Sequence, residues 1–211
     1  MLDLWFEQRY AKGCGGKAYL IRYADDYVAC FEQEAEARRF QTEMEQRLLQ
    51  VEPRKTAVLP FGSRAQGDDP HHGDEPRTFS FLGFTHYVGR SRTGRLVVGR
   101  KTAGKRVRKK LKQLSERLRA KGGRAMVAYV GRHLRGHLQY YGVSGNSRSV
   151  ASYVYRATHY LFKWLNRRSQ RRSLTWKRFG EAIRPLLPTA RILHNLYPVP
   201  RWMTQAGSRM V

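Results

Sequence analysis

The chain has 211 residues, 41% of them hydrophobic and 12% aromatic, which is enough to build a core and too much for a wholly disordered chain. Its 41 Lys and Arg stand against 16 Asp and Glu, a formal charge of +25 that points to a polyanionic partner. Two cysteines, Cys14 and Cys30, exclude a disulfide framework and a four-ligand zinc site. No apolar run approaches the roughly 18 residues of a membrane span, and the opening MLDLWFEQRY lacks the basic and apolar regions of a signal peptide. The expectation is a soluble, cytoplasmic chain with no membrane partner.

In chain order, Ala18–Val28 (AYLIRYADDYV) reads as two short strands around a polar centre, a β-hairpin. From Gln33 the residues Ala37, Phe40, Met44, Leu48 and Val51 recur at helical spacing until Pro53 ends the run. Thr56–Phe61 reads as a short edge strand, since Pro60 lacks a ladder donor, and residues 62–76 as a surface loop rich in Gly, Asp, Pro and His. Phe79–Tyr87 and Arg95–Val98 flank a Gly-rich turn and predict a second hairpin. Beyond Gly99 come three apolar stripes: Val107, Leu111, Leu114 and Leu118; Val127, Val130, Leu134, Leu138 and Tyr141; Val150, Val154, Ala157, Leu161 and Trp164. They predict a three-helix bundle, its third helix capped by Ser147 or Ser149. A short helix over Trp176–Leu187, ended by Pro188, and an extended terminus complete an α+β chain.

Charge divides the chain in the same way. Residues 1–76 hold 14 acids and 10 bases, a balance of −4, whereas residues 77–211 hold 31 bases and only Glu116 and Glu181, a balance of +29. A block this basic repels itself unless phosphates neutralise it, so the helical part is expected to bind nucleic acid. Lys101, Lys105, Arg106, Arg108, Lys109, Lys110 and Lys112 are the densest candidate cluster.

The sharpest chemical feature is Tyr23-Ala24-Asp25-Asp26. Two adjacent carboxylates at a hairpin tip repel each other unless a cation sits beside them, and a divalent ion is the natural one. Mg²⁺ takes a few carboxylates plus substrate phosphate oxygens, and two such ions about 3.5–4 Å apart serve phosphoryl transfer. Weaker signals carry less. Gly13-Cys14-Gly15-Gly16-Lys17 fails the phosphate-loop pattern at Ala11 and Ala18 and reads as a connector. His133 and His137 share a helix face, but no Glu or Cys completes a metal set, so they read as packing or RNA-facing residues. His71, His72 and Asp74 read as loop residues.

Tyr23–Asp26, Pro53-Arg54-Lys55-Thr56, Phe81-Leu82-Gly83-Phe84, Leu134-Arg135-Gly136-His137 and Tyr140-Tyr141-Gly142 follow one another in that order. Together with the opening Leu2-Asp3-Leu4-Trp5-Phe6-Glu7 they resemble the C-terminal half of group II intron reverse transcriptases, the intron-encoded maturases, from Leu2 to about Trp202. The resemblance implies that residues 1–98 are the end of a reverse-transcriptase palm (catalytic hairpin, helix, second hairpin) and residues 99–211 a basic three-helix thumb or maturase domain. It implies RNA-directed DNA polymerisation and splicing assistance, with intron RNA, RNA/DNA template-primer and deoxynucleotides as partners. Asp25 and Asp26 would be catalytic Mg²⁺ ligands of a two-metal site. Lys55 would lie near the incoming nucleotide, acting as an acid toward pyrophosphate, and Phe81, Leu82, Gly83 and Phe84 would form the primer grip.

The chain departs from the family in one respect. The family carries a further catalytic Asp and the fingers well upstream of the hairpin, whereas only 24 residues precede Asp25 here, with Asp3 and Glu7 their only acids. The implied Mg²⁺ site is therefore incomplete, and the chain is expected to be a truncated piece, inactive alone, whose missing N-terminal fragment would be a partner. Two alternatives stand beside this reading: a non-catalytic RNA-binding protein that keeps the thumb, and one half of a split reverse transcriptase.

Overall fold

The computed structural model describes residues 2–47, 56–62, 78–91, 93–167 and 174–196. It is α+β with small antiparallel sheets and divides into two compact units, Met1–Gly99 and Arg100–Val211. No helix among the described residues is long and apolar enough to cross a membrane.

In the first unit the alternation of Ala18–Phe31 makes β1 (Ala18–Tyr23) and β2 (Asp26–Phe31), paired antiparallel with Leu20 opposite Ala29 and Arg22 opposite Tyr27. Ala18, Leu20, Tyr27, Ala29 and Phe31 pack on a buried cluster of Phe6, Tyr10, Phe40 and Met44. Those four come from a π-helical turn, Phe6–Tyr10, that continues α1 (Leu2–Trp5), and from α2 (Glu34–Arg47). Tyr10 donates its hydroxyl proton to the Glu36 carbonyl at 2.7 Å, so its polar end is satisfied inside the core. Burying each large side chain of this cluster contributes about 1.5–3 kcal/mol. The opposite face of the ribbon is bare: Tyr19, Ile21 and Tyr23 are between 55% and 67% exposed.

The β1–β2 turn holds Ala24 at φ 51°, a left-handed conformation that costs a non-glycine residue roughly 1 kcal/mol. Ala24 is exposed, so Ala24→Gly removes the strain without losing packing. The urea midpoint of the first unit should rise, by about 0.5–1 kcal/mol in unfolding free energy; a lowered or unchanged midpoint would show that the turn stores no such strain.

The second hairpin turns earlier than the sequence suggests. β3 (Thr78–Phe81), β4 (Phe84–Arg90) and β5 (Leu96–Thr102) form one sheet in that order. The continuous strand expected over Phe79–Tyr87 is broken by Leu82 and Gly83, at φ 48° and 79°, with Phe81 opposite Phe84. Two central residues of positive φ give a turn whose twist matches the strands it joins. Thr56–Phe61, expected as an edge strand, forms no strand. Instead Phe61 packs edge-on against Phe79, ring centroids 4.9 Å apart. Leu48, Val51, Pro53 and the loop beyond Gly62 lie outside the described residues.

The second unit is built on α3 (Gly104–Arg119), α4 (Gly123–Tyr141) and α5 (Ser147–Asn166), with α5 packed against both others. The expected stripes are buried except at Val107, Val127 and Trp164, which are half-buried. Val127 is only partly buried and Met126 is fully so, because Met126, Val130, Leu134 and Leu138 form a true i, i+4 row. The residue at the cap of α5 is Asn146, neither Ser147 nor Ser149. Its side chain is committed elsewhere: Oδ1 accepts from the Thr102 N–H at 2.9 Å, and Nδ2 donates to Thr102 Oγ1 and the Tyr141 carbonyl. A buried amide satisfied in this way fixes the end of β5 to the α4–α5 connection.

α6 (Trp176–Ala182) stops short of the expected Leu187. Pro185 cannot donate to a preceding turn, and a 3₁₀ turn, Arg184–Leu186, takes over. Residues 188–196 then return along the α4–α5 connection. Leu193 and His194 donate their N–H groups to the Gly142 carbonyl at 2.6 and 2.9 Å, and Ser144 N–H donates to the His194 carbonyl at 2.9 Å.

Candidate functional site

The first unit places Asp25 in the β1–β2 turn and Asp26 at the first position of β2, both exposed. Arg22 is anchored next to them. Its guanidinium makes a bidentate pair with Asp3 of α1, Nε to Oδ1 at 2.9 Å and a second nitrogen to Oδ2 at 2.6 Å, and donates to the Ala24 carbonyl at 3.2 Å. The Arg22 hydrogen bond holds the Asp3 carboxyl below its ordinary range. Asp3 is thus tied to a cation of its own, and Arg22 clamps α1, β1 and the turn together.

Among the described residues no group of three or more His, Cys, Asp and Glu side chains comes together. Two exposed carboxylates beside a fixed guanidinium do not make a complete Mg²⁺ site, since that ion needs near-octahedral oxygen ligation. Lys55 lies outside the described residues, as do His71, His72 and Asp74. Phe81, Leu82, Gly83 and Phe84 occupy the β3–β4 turn and its flanking pair, all half-buried. The glycine loop has a structural role. Gly15 N–H donates to Glu36 Oε1 at 2.6 Å and Lys17 N–H to Glu32 Oε2 at 3.0 Å. Amides already held by carboxylates are not offered to a phosphate.

Of the second unit's side chains 27 are Lys or Arg and two are acidic, so its +25 equals the net charge of the whole chain. On α3, Leu111, Leu114 and Leu118 face the core, and helical geometry sets Lys105, Lys109 and Lys112 on the far side, with Arg108 adjoining. These four, Arg106 and Lys101 are exposed. Lys110 departs from the cluster: it is half-buried, and its ammonium lies 4.8 Å from the centre of the Tyr141 ring. Burial, then the neighbouring Arg106, lowers its pKa. It is a cation–π packing residue of the bundle.

Behind Lys110 the two histidines of α4 are packed among rings. His137 is 2% exposed, and its ring lies parallel to that of Tyr153, centroids 3.6 Å apart. Burial, then Lys110 and His133, holds its pKa down to about 3, so it is a neutral plate at physiological pH. His133 Nε2 is 2.6 Å from the Tyr153 hydroxyl, and burial lowers its pKa as well. Neither histidine belongs to a group of three or more possible metal ligands among the described residues.

Sequence periodicity passed over two features. The Asp3–Arg22 pair joins positions 19 residues apart, a separation no local pattern marks. Tyr155 and His159 on α5 are exposed rather than packed; their i, i+4 spacing opposite the buried stripe was the available signal. Compared with protein-family models and with curated proteins, the chain gives no match.

Proposed function

We propose that the chain is a piece of a group II intron-type reverse transcriptase or maturase, whose own competence is RNA binding and whose polymerase chemistry needs parts that the described residues do not supply. The observation that carries the reading is the joining, in one chain, of an exposed Asp-Asp hairpin turn to a helical unit holding the entire net charge. The basic unit grips backbone phosphates, with Lys105, Lys109 and Lys112 on the outer face of α3. In the intact enzyme, Asp25 and Asp26 would ligate Mg²⁺, which supplies charge neutralisation at the reacting phosphate. Within this chain Arg22, bonded to Asp3 and to the Ala24 carbonyl, braces the turn that carries the two carboxylates. Phe81–Phe84 would meet the primer backbone where Gly83 keeps the turn slim. The second reading, a non-catalytic RNA-binding protein, is favoured by the Arg22 clamp, which already pairs with the carboxylate of Asp3.

The test is salt-dependent binding to structured RNA by the full chain. Affinity should fall steeply with salt, and replacing Lys105, Lys109 and Lys112 together by Ala should flatten the log–log slope by about 2 to 3, at about 0.7 to 0.9 per phosphate contact. All three are exposed on α3, so the helix is retained. A slope unchanged by the triple substitution would place the RNA on another surface, and no binding at low salt would overturn the reading.

A further inference from the structure

We propose that α5 and α6 present a stacking platform for the unstacked bases of single-stranded nucleic acid, distinct from the phosphate-gripping face of α3. The inference rests on the nucleic-acid reading above and deepens it. Tyr155 is 63% and Trp176 48% exposed, yet their rings belong to one continuous ladder. Tyr155 lies 4.1 Å from His159 with planes tilted by 44°, His159 lies 4.7 Å from Trp176 tilted by 46°, and Trp176 is stacked on Phe162 at 3.7 Å with planes 12° apart. Phe179, buried, meets both Phe162 and Trp176 edge-on and backs the ladder from the core side.

The arrangement is held from several sides. Asn166 at the end of α5 pairs twice with the Leu174 backbone, donating from Nδ2 to its carbonyl at 3.1 Å and accepting its N–H at 2.5 Å. Thr175 then caps α6, accepting from the Arg178 N–H. These bonds seat Trp176 over Phe162. His159 Nδ1 lies 3.3 Å from the Tyr155 carbonyl, which fixes the ring's rotation. Exposed rings are thus pre-ordered, and little side-chain freedom remains to be lost when a base stacks on them.

Charge selects the occupant. Arg148, Arg156 and Lys163 lie on α5 seven residues before, one after and eight after Tyr155, and Lys177 and Arg178 follow Trp176; all five are exposed. α5 contains no carboxylate, and α6 contains only Glu181. Aromatic faces interleaved with cations match a strand that offers alternating bases and phosphates. A paired duplex hides its base faces and would use the cations alone.

The experiment compares the full chain's binding to a short oligothymidylate, to an abasic strand of the same length and to an RNA duplex, by fluorescence anisotropy at one salt concentration. Tyr155→Ala should weaken oligothymidylate binding by about 10-fold, the usual effect of one stacked base, and leave the abasic and duplex affinities unchanged. Tyr155→Phe should retain full affinity, because the ring and not the hydroxyl makes the contact. Wild-type protein that binds base-bearing and abasic strands equally would overturn the platform, as would a Tyr155→Ala variant that loses all three ligands alike. Duplex binding that survives in either case leaves the α3 reading standing, whereas a chain that binds none of the three ligands overturns both.

Discussion

Primer extension by the purified chain should sit at background, and Asp25→Asn should leave it there. Phosphoryl transfer depends on positioning and on neutralising charge at the reacting phosphate. The described residues offer two exposed carboxylates for that task, no group of three or more possible metal ligands comes together among them, and Asp3 is already paired with the Arg22 guanidinium. Supplying a fingers-and-palm fragment from an intact polymerase that carries the further carboxylate should restore extension, and in the reconstituted pair Asp25→Asn should abolish it while RNA affinity stays unchanged. Because Asp25 is an exposed turn residue, loss of activity without loss of binding would report on the proposed metal site and not on folding. Mg²⁺-dependent, template-dependent extension by the lone chain that disappears in Asp25→Asn would make it a complete, minimal polymerase.

Gly142→Ala should destabilise the second unit by about 3 kcal/mol, the upper part of the range for forced overpacking. A Cβ at this position would overlap the Leu138 carbonyl oxygen and approach the Arg191 carbonyl to 3.2 Å. Both obstacles are backbone, so neither can swing aside. The Gly142 carbonyl also accepts from Leu193 and His194, and shifting it detaches the returning segment from the α4–α5 connection. A lowered urea midpoint, with faster amide exchange at Ser144, Leu193 and His194, is the expected outcome. An unchanged midpoint would mean that the connection has room the geometry denies it. The Tyr-Tyr-Gly motif at 140–142 thereby has a physical reason in this chain: it ends α4 where two carbonyls leave space for hydrogen alone.

What the sequence made legible was whatever repeats at a fixed period. Leu111, Leu114 and Leu118, and the row Val150, Val154, Ala157 and Leu161, were readable because a helix needs one apolar face whatever it packs against. The Asp-Asp turn was readable because polar residues between two β-branched and aromatic runs have few other places to go. Illegible were features set by distant partners or by backbone angles with no residue signature. Leu82 and Ala24 adopt positive φ without being Gly or Asn. Asn146 stands in a cap position while bonding Thr102, 44 residues away. Lys110 belongs to the same charge run as Lys109, yet one further step of about 100° around the helix turns it from solvent onto Tyr141.

The bare side of the β1–β2 ribbon has a consequence for the life of the protein in a cell. Tyr19, Ile21 and Tyr23 present an apolar row on a two-stranded sheet with Val28 and Cys30 across from it. To chaperones and proteases such a row is indistinguishable from a chain that has not finished folding. Covering that face is therefore expected to raise the amount of this protein that persists after synthesis.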